Sequence, residues 1–131
     1  MPVYITQGRY TREAIKGMIV KPEDRYEALS RHVARVGGRV LSYYMTFGEY
    51  DFLTVVEAPS ETQMAAVLLS AAATGGVSDL RTTLAMTSIE AKGAFAAASD
   101  LAPSYRAPNR SRRRPRPWLQ LRSSPAWFAG R

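Results

Sequence analysis

Apolar positions change period repeatedly along the first hundred residues, and each change marks an element. Residues 2–8 alternate around Val3, Tyr4 and Ile5 and predict a first strand ending at Gly8. Thr11 is placed to cap a short helical turn through Ile15, with Gly17 and Lys21-Pro22 interrupting anything longer. A clearer helix is predicted from Pro22, a favoured first helical residue, with Glu23 and Asp24 near the positive end of the helix dipole. Its stripe of Tyr26, Leu29, Val33 and Val36 recurs at spacings of three and four, and Gly37-Gly38 supplies the stop.

Two β-rich runs follow, Arg39 to Phe47 and Asp51 to Glu57, and Gly48-Glu49 between them fits a two-residue type II′ turn. That turn sets Phe47 opposite Tyr50, Met45 opposite Phe52, Tyr43 opposite Thr54 and Leu41 opposite Val56, all on a core face. The other face then carries Val40, Ser42, Tyr44, Thr46, Asp51, Leu53, Val55 and Glu57, a mixture of apolar and polar.

Pro59 ends the second run, and Ser60 with Gln63 predicts a capping box for a helix containing Met64, Val67, Leu68 and Ala71. Gly75-Gly76 breaks it. Leu80 to Met86 reads as a fourth strand with Leu80, Thr82, Leu84 and Met86 on one side, and Thr87 with Glu90 caps a last helix through about Ala98. The order is βαββαβ followed by a helix, an α+β arrangement.

Charge divides the chain of 131 residues more sharply than its net +7 suggests. Residues 1–100 hold ten Lys or Arg and all eleven Asp or Glu, whereas residues 101–131 hold eight Arg and no acid. Five of the eight prolines also fall after residue 102. The expectation is a domain over residues 1–98 and an Arg/Pro-rich disordered tail over 99–131. Without cysteine there are no disulfides, thiolate chemistry or Cys-ligated zinc. The N-terminus lacks the basic and apolar regions of a signal peptide, and the run Ala65 to Ala73 is far short of the roughly 20 residues of a membrane span, so a cytoplasmic chain is expected.

The stretch Tyr44-Met45-Thr46-Phe47-Gly48-Glu49-Tyr50-Asp51-Phe52 resembles the signature of the GYD-domain family of small bacterial proteins, the motif standing here as Gly48, Glu49, Tyr50 and Asp51. Tyr4-Ile5 with Gly8, the Gly37-Gly38 break and Val56-Glu57-Ala58-Pro59 resemble it too, and the likeness covers about residues 1–98. It implies a ferredoxin-like sandwich similar to the dimeric α/β-barrel domains, in which two sheets pack face to face. The apolar residues Tyr44, Leu53 and Val55 on the second sheet face independently point to a homodimer.

Candidate chemistry is sparse. Asp51, as the last motif residue, can act as a base or acceptor in a pocket with Tyr44 and Thr46. It can equally anchor the hairpin through backbone hydrogen bonds, the reading favoured by the absence of a second ionisable group beside it. His32, the only histidine, can bind a ligand between helix and sheet, although a boundary histidine bonded to backbone or solvent is the plainer role. Tyr43 and Tyr44 can stack on a ligand or simply pack. In the tail, Arg112, Arg113, Arg114 and Arg116, interleaved with Trp118 and Trp127, can hold nucleic acid or an anionic surface, or form a solvated extension. The third strand lacks the opening and alternating aromatics of an RNA-recognition motif. No P-loop, dinucleotide fingerprint or nucleophile elbow is present, and no catalytic residue, cofactor or metal site is predicted. The expected function is a homodimeric module binding a small organic molecule. The alternatives are a purely structural or interaction module, or nucleic-acid binding through the tail.

Overall fold

The first strand, β1 (Val3–Tyr10), runs two residues past the Gly8 at which its alternation was expected to stop. The computed structural model describes residues 1–108. After β1 come α1 (Arg12–Val20), α2 (Arg25–Ala34), β2 (Arg39–Met45), β3 (Phe52–Glu57), α3 (Glu61–Ala73), β4 (Val77–Ala85) and α4 (Ser88–Leu101). The strands form one sheet in the order β2-β3-β1-β4 with every neighbouring pair antiparallel, which is compatible with a ferredoxin-like α+β fold carrying extra helices. Contacts divide the chain into a unit Met1–Ala91 and a second unit from Lys92.

Helix ends follow side-chain chemistry more closely than the predicted boundaries did. The Thr11 hydroxyl accepts from Ala14 N–H, and α1 continues through Gly17 to Val20 instead of stopping at Ile15. An interior glycine costs only about 1 kcal/mol, whereas Pro22 constrains the residue before it, and the helix has ended by Lys21. Helix α2 begins three residues after Pro22, because the Asp24 carboxylate accepts Tyr26 N–H at 2.9 Å and so takes the capping position itself. Gly37 ends this segment with φ 79, and Gly38 N–H donates to Val33 C=O at 3.1 Å. Ser60 caps α3 through Gln63 N–H, and Thr87 and Glu90 cap α4 reciprocally at 3.0 and 3.1 Å. That bond to Thr87 N–H holds the Glu90 carboxyl below its ordinary range.

The core lies between the sheet and helices α2 and α3. Tyr4, Val40 and Val56 from the strands meet Val33 of α2 and Met64 and Val67 of α3, with Leu29, Val36 and Leu68 packed around them. Gly38 sits under this layer with no room for a methyl group, since a Cβ there would lie 2.5 Å from Glu57 O and 2.7 Å from Val33 Cγ1.

The hairpin corrects part of the predicted register. Met45 opposes Phe52 and Tyr43 opposes Thr54 as expected, but Val40, not Leu41, faces Val56. A β-bulge places Leu41 between paired positions, so Val40 enters the core and Leu41 is left 40% exposed. The two-residue turn is replaced by a wider loop that closes where Thr46 N–H donates to Asp51 C=O at 2.8 Å and the Thr46 hydroxyl to Tyr50 C=O at 2.7 Å. Gly48 takes φ 142, which a side-chain-bearing residue rarely adopts. Phe47 and Met45, expected in the core, are 94% and 65% exposed.

A second bulge lies in β4, where Asp79 and Leu80 span the space opposite Gly8, and Asp79 adopts φ 52. In the unit from Lys92, α4 continues to Leu101, beyond its expected end near Ala98, and a single 3₁₀ turn occupies Ala102–Ser104. Among the described residues no helix is long and apolar enough to cross a membrane. Arg112, Arg113, Arg114 and Arg116 lie outside the described residues.

Candidate functional site

Even-numbered residues of β1 face the helices, and the last of them, Tyr10, reaches a hollow that the sequence does not advertise. Its phenol is hydrogen-bonded to that of Tyr43 on β2. Both rings flank Phe52, with centroids 5.0 Å away for Tyr10 and 6.1 Å for Tyr43. Gly8 makes room for that ring, because a Cβ there would stand 2.6 Å from Phe52 Cζ. Burial and then the bond to Tyr43 raise the Tyr10 phenol well above its ordinary value, with Arg25 opposing and Asp51 adding to the shift. At neutral pH it keeps its proton, so it is available as a hydrogen-bond donor and not as a base.

Three hollows meet at this point. The outer one, about 590 Å³, opens between α1, α2 and α3 and is lined by Lys21, Glu23, Arg25, Leu29, His32 and Ser70 among others. The inner one, about 90 Å³, lies against the sheet and is walled mostly by apolar groups including Phe52, Val56, Met64 and Leu80. The third, about 430 Å³, is bounded by Ile15, Met18, Ile19, Tyr26 and Met45. Tyr10 and Arg25 line all three. Thr11 ties the entrance together, since its hydroxyl donates to Gly75 C=O at 2.7 Å and its N–H to Gly76 C=O at 3.0 Å.

His32 is on the outer wall, its Nε2 2.6 Å from Ser70 Oγ. Ser70 has one hydroxyl proton, and it donates to Val67 C=O at 2.9 Å, so His32 is the donor in this pair. The serine is therefore not activated as a nucleophile by the imidazole. Among the described residues no three His, Cys, Asp or Glu side chains gather as a metal site.

The other predicted pocket residues do not join His32. Tyr44, opposite Leu53, is 62% exposed on the sheet face away from α2 and α3. Thr46 spends its hydroxyl on the hairpin loop. The Asp51 carboxylate accepts Tyr10 N–H at 3.0 Å and its N–H donates to Gly8 C=O at 2.8 Å, so its side chain and N–H fasten β1 while its carbonyl closes the hairpin loop with Thr46. Tyr50, expected to face the core, instead has the guanidinium groups of Arg9 and Arg81 over its ring at 5.8 and 5.9 Å. Arg9 Nε also donates to Glu49 C=O at 2.8 Å. Each motif residue thus has a fixed place: Gly48 turns the chain, the Glu49 carbonyl accepts from Arg9, Tyr50 lies under two arginines, and Asp51 fastens the end of β1.

The family model described as GYD domain matches residues 4–95. The chain belongs to the GYD domain family. A curated relative from Thermus thermophilus, described as "Glutamine synthetase and cystathionine beta-lyase binding protein", is 32% identical to this GYD domain over 78 residues, covering 59% of this chain and 81% of the relative. Among solved structures, TTHA0845 from the same organism aligns with a TM-score of 0.44 and 20% identity over 67% of this chain and 96% of that one. The structure titled FFRP-DM1 aligns with a TM-score of 0.42 and 16% identity over 66% of this chain and 100% of that one.

Tyr10 and Arg25, absent from the predicted site, are its centre. One signal for Tyr10 was available, since the alternation Tyr4, Thr6, Gly8, Tyr10 continues past the glycine. Arg25 carries no comparable signal, because the hollow exists only once α1 and α2 lie across the sheet.

Proposed function

We propose that this GYD domain is a small-molecule-binding module, working as a homodimer, whose ligand occupies the hollows between helices and sheet. The observation that carries the reading is the convergence of the hollows on Tyr10 and Arg25, a phenol donor and a cation at the mouth of an apolar compartment. The outer volume of about 590 Å³ falls within the roughly 300–1,000 Å³ of small-molecule sites, and apolar walls with a few convergent polar groups are their usual composition. Dimerisation is supported by the face opposite α2 and α3, where Tyr44 is exposed and Ile5, Leu53 and Val55 are only partly buried. A thermal-shift screen on the full chain tests the binding. A compound that raises the melting temperature of the wild type should fail to do so in Arg25→Ala and in the cavity-filling Ala71→Phe. A screen without hits, or hits indifferent to both substitutions, would reject the reading. Light scattering tests the dimer, which Leu53→Glu should convert to monomer.

A second reading is protein binding, favoured by the enzyme-binding description of the Thermus relative. In that case the same sheet face would receive a partner enzyme. Co-elution with purified glutamine synthetase or cystathionine β-lyase, lost in Leu53→Glu, would support it; elution as separate peaks would reject it.

A further inference from the structure

Resting on the small-molecule reading, we infer that the ligand is a small aliphatic carboxylate, bound with its carboxylate at Arg25 and the Tyr10–Tyr43 pair and its alkyl group in the inner compartment. Two phenols share one hydrogen bond, so one O–H proton of the pair is left to donate elsewhere. Burial keeps the Tyr10 phenol protonated, and the neighbouring Arg25 guanidinium adds a charged donor at the same neck. A fixed O–H donor beside a guanidinium is a recognition set for a carboxylate.

Arg25 is engaged by Glu23 at 2.5 Å, but the two side chains are 41% and 48% exposed. Exposed pairs of this kind contribute little, so an incoming carboxylate can take the place of Glu23. Lys21 lines the same outer hollow and offsets the remaining acidic charge.

Size sets the other half of the ligand. The inner compartment of about 90 Å³ is smaller than a cavity of about 150 Å³ that accepts benzene, so it suits a short alkyl group and not an aromatic ring. Its walls include Val56, Met64 and Leu80, which offer an alkyl group dispersion contacts and no charge.

The test is an amide-resolved NMR titration of the full chain with acetate, butanoate, isovalerate and phenylacetate, each beside its own primary amide. The expected result is saturable shifts at Tyr10, Leu29 and Ala71, strongest for isovalerate, with the amides roughly tenfold or more weaker. Arg25→Ala should abolish the preference for the acid, and Glu23→Gln should tighten acid binding while leaving the amide unchanged. Equal binding of acid and amide, or tighter binding of phenylacetate than of isovalerate, would overturn the carboxylate assignment and leave the cavity as a binding site. If these probes shift nothing while the thermal-shift screen finds another ligand there, the assignment fails alone. If neither experiment finds a cavity ligand, both inferences fail.

Discussion

The Asp51 carboxylate accepts the backbone N–H of Tyr10 at 3.0 Å, across 41 positions of the chain. The last residue of the family motif therefore acts on the residue at the centre of the hollows, through the backbone at the end of β1. Asp51→Ala should destabilise the domain by about 1.5–3 kcal/mol, the range for a hydrogen bond to a charged group, and should weaken any ligand that Tyr10 holds. Asp51→Asn keeps an acceptor and should lose less. Urea unfolding of the three proteins checks the order, and equal losses for both variants would contradict it.

Glycines separate into those with room beside them and those without. Gly38→Ala forces a Cβ against Glu57 O and Val33, and should cost about 1–3 kcal/mol as overpacking. Gly17, within α1, has open space where a methyl group would stand, with nothing within 4 Å, so Gly17→Ala should stabilise by about 0.5–1 kcal/mol. Thermal melts of the two variants should move in opposite directions.

The bulge at Leu41 makes a core assignment that differs from simple alternation. Val40→Ala should cost about 2 kcal/mol, while Leu41→Ala, at an exposed position, should stay within about 1 kcal/mol. Chemical denaturation distinguishes them, and the reverse ranking would argue for an unbulged strand. Phe47→Ala should be close to neutral because its ring is exposed.

Alkaline pH should expose the burial of Tyr10. Its folded-state pKa lies above the value near 10 of a free phenol, so below about pH 10 both states hold the proton and the full contribution is present. Above that pH the unfolded chain ionises first, and stability falls as pH rises toward the folded value. Tyr10→Phe should therefore lose less stability than wild type between about pH 9 and pH 11, read from urea midpoints. An unchanged pH slope would show that another group dominates.

Local chemistry was legible at several points where it acts within a few residues. The caps at Thr11, Ser60 and Thr87, the stop at Gly37-Gly38 and the pairing of Tyr43 with Thr54 all depend on such short-range preferences. Three things were not. Alternation assumes that each residue advances the pleat by one, and the bulges at Leu41 and Asp79 break that assumption. Tyr50 was read from strand parity, yet its ring goes where Arg9 and Arg81 can reach it, and neither partner is near it in sequence. Of the predicted pocket residues, His32 lines a hollow because α2 carries it there, whereas Tyr44, Thr46 and Asp51 belong to a surface, a loop and a strand junction.

The two bulges lie in β2 and β4, the strands at the margins of the sheet. A strand from another chain laid along either margin would meet a break in the spacing of donors and acceptors after a few residues. Neither side offers a continuous ladder for sheet-to-sheet growth between molecules, so a concentrated solution of the domain is guarded against aggregation by the same irregularities that bring Val40 and Tyr43, and Val77 and Leu80, to the helix side.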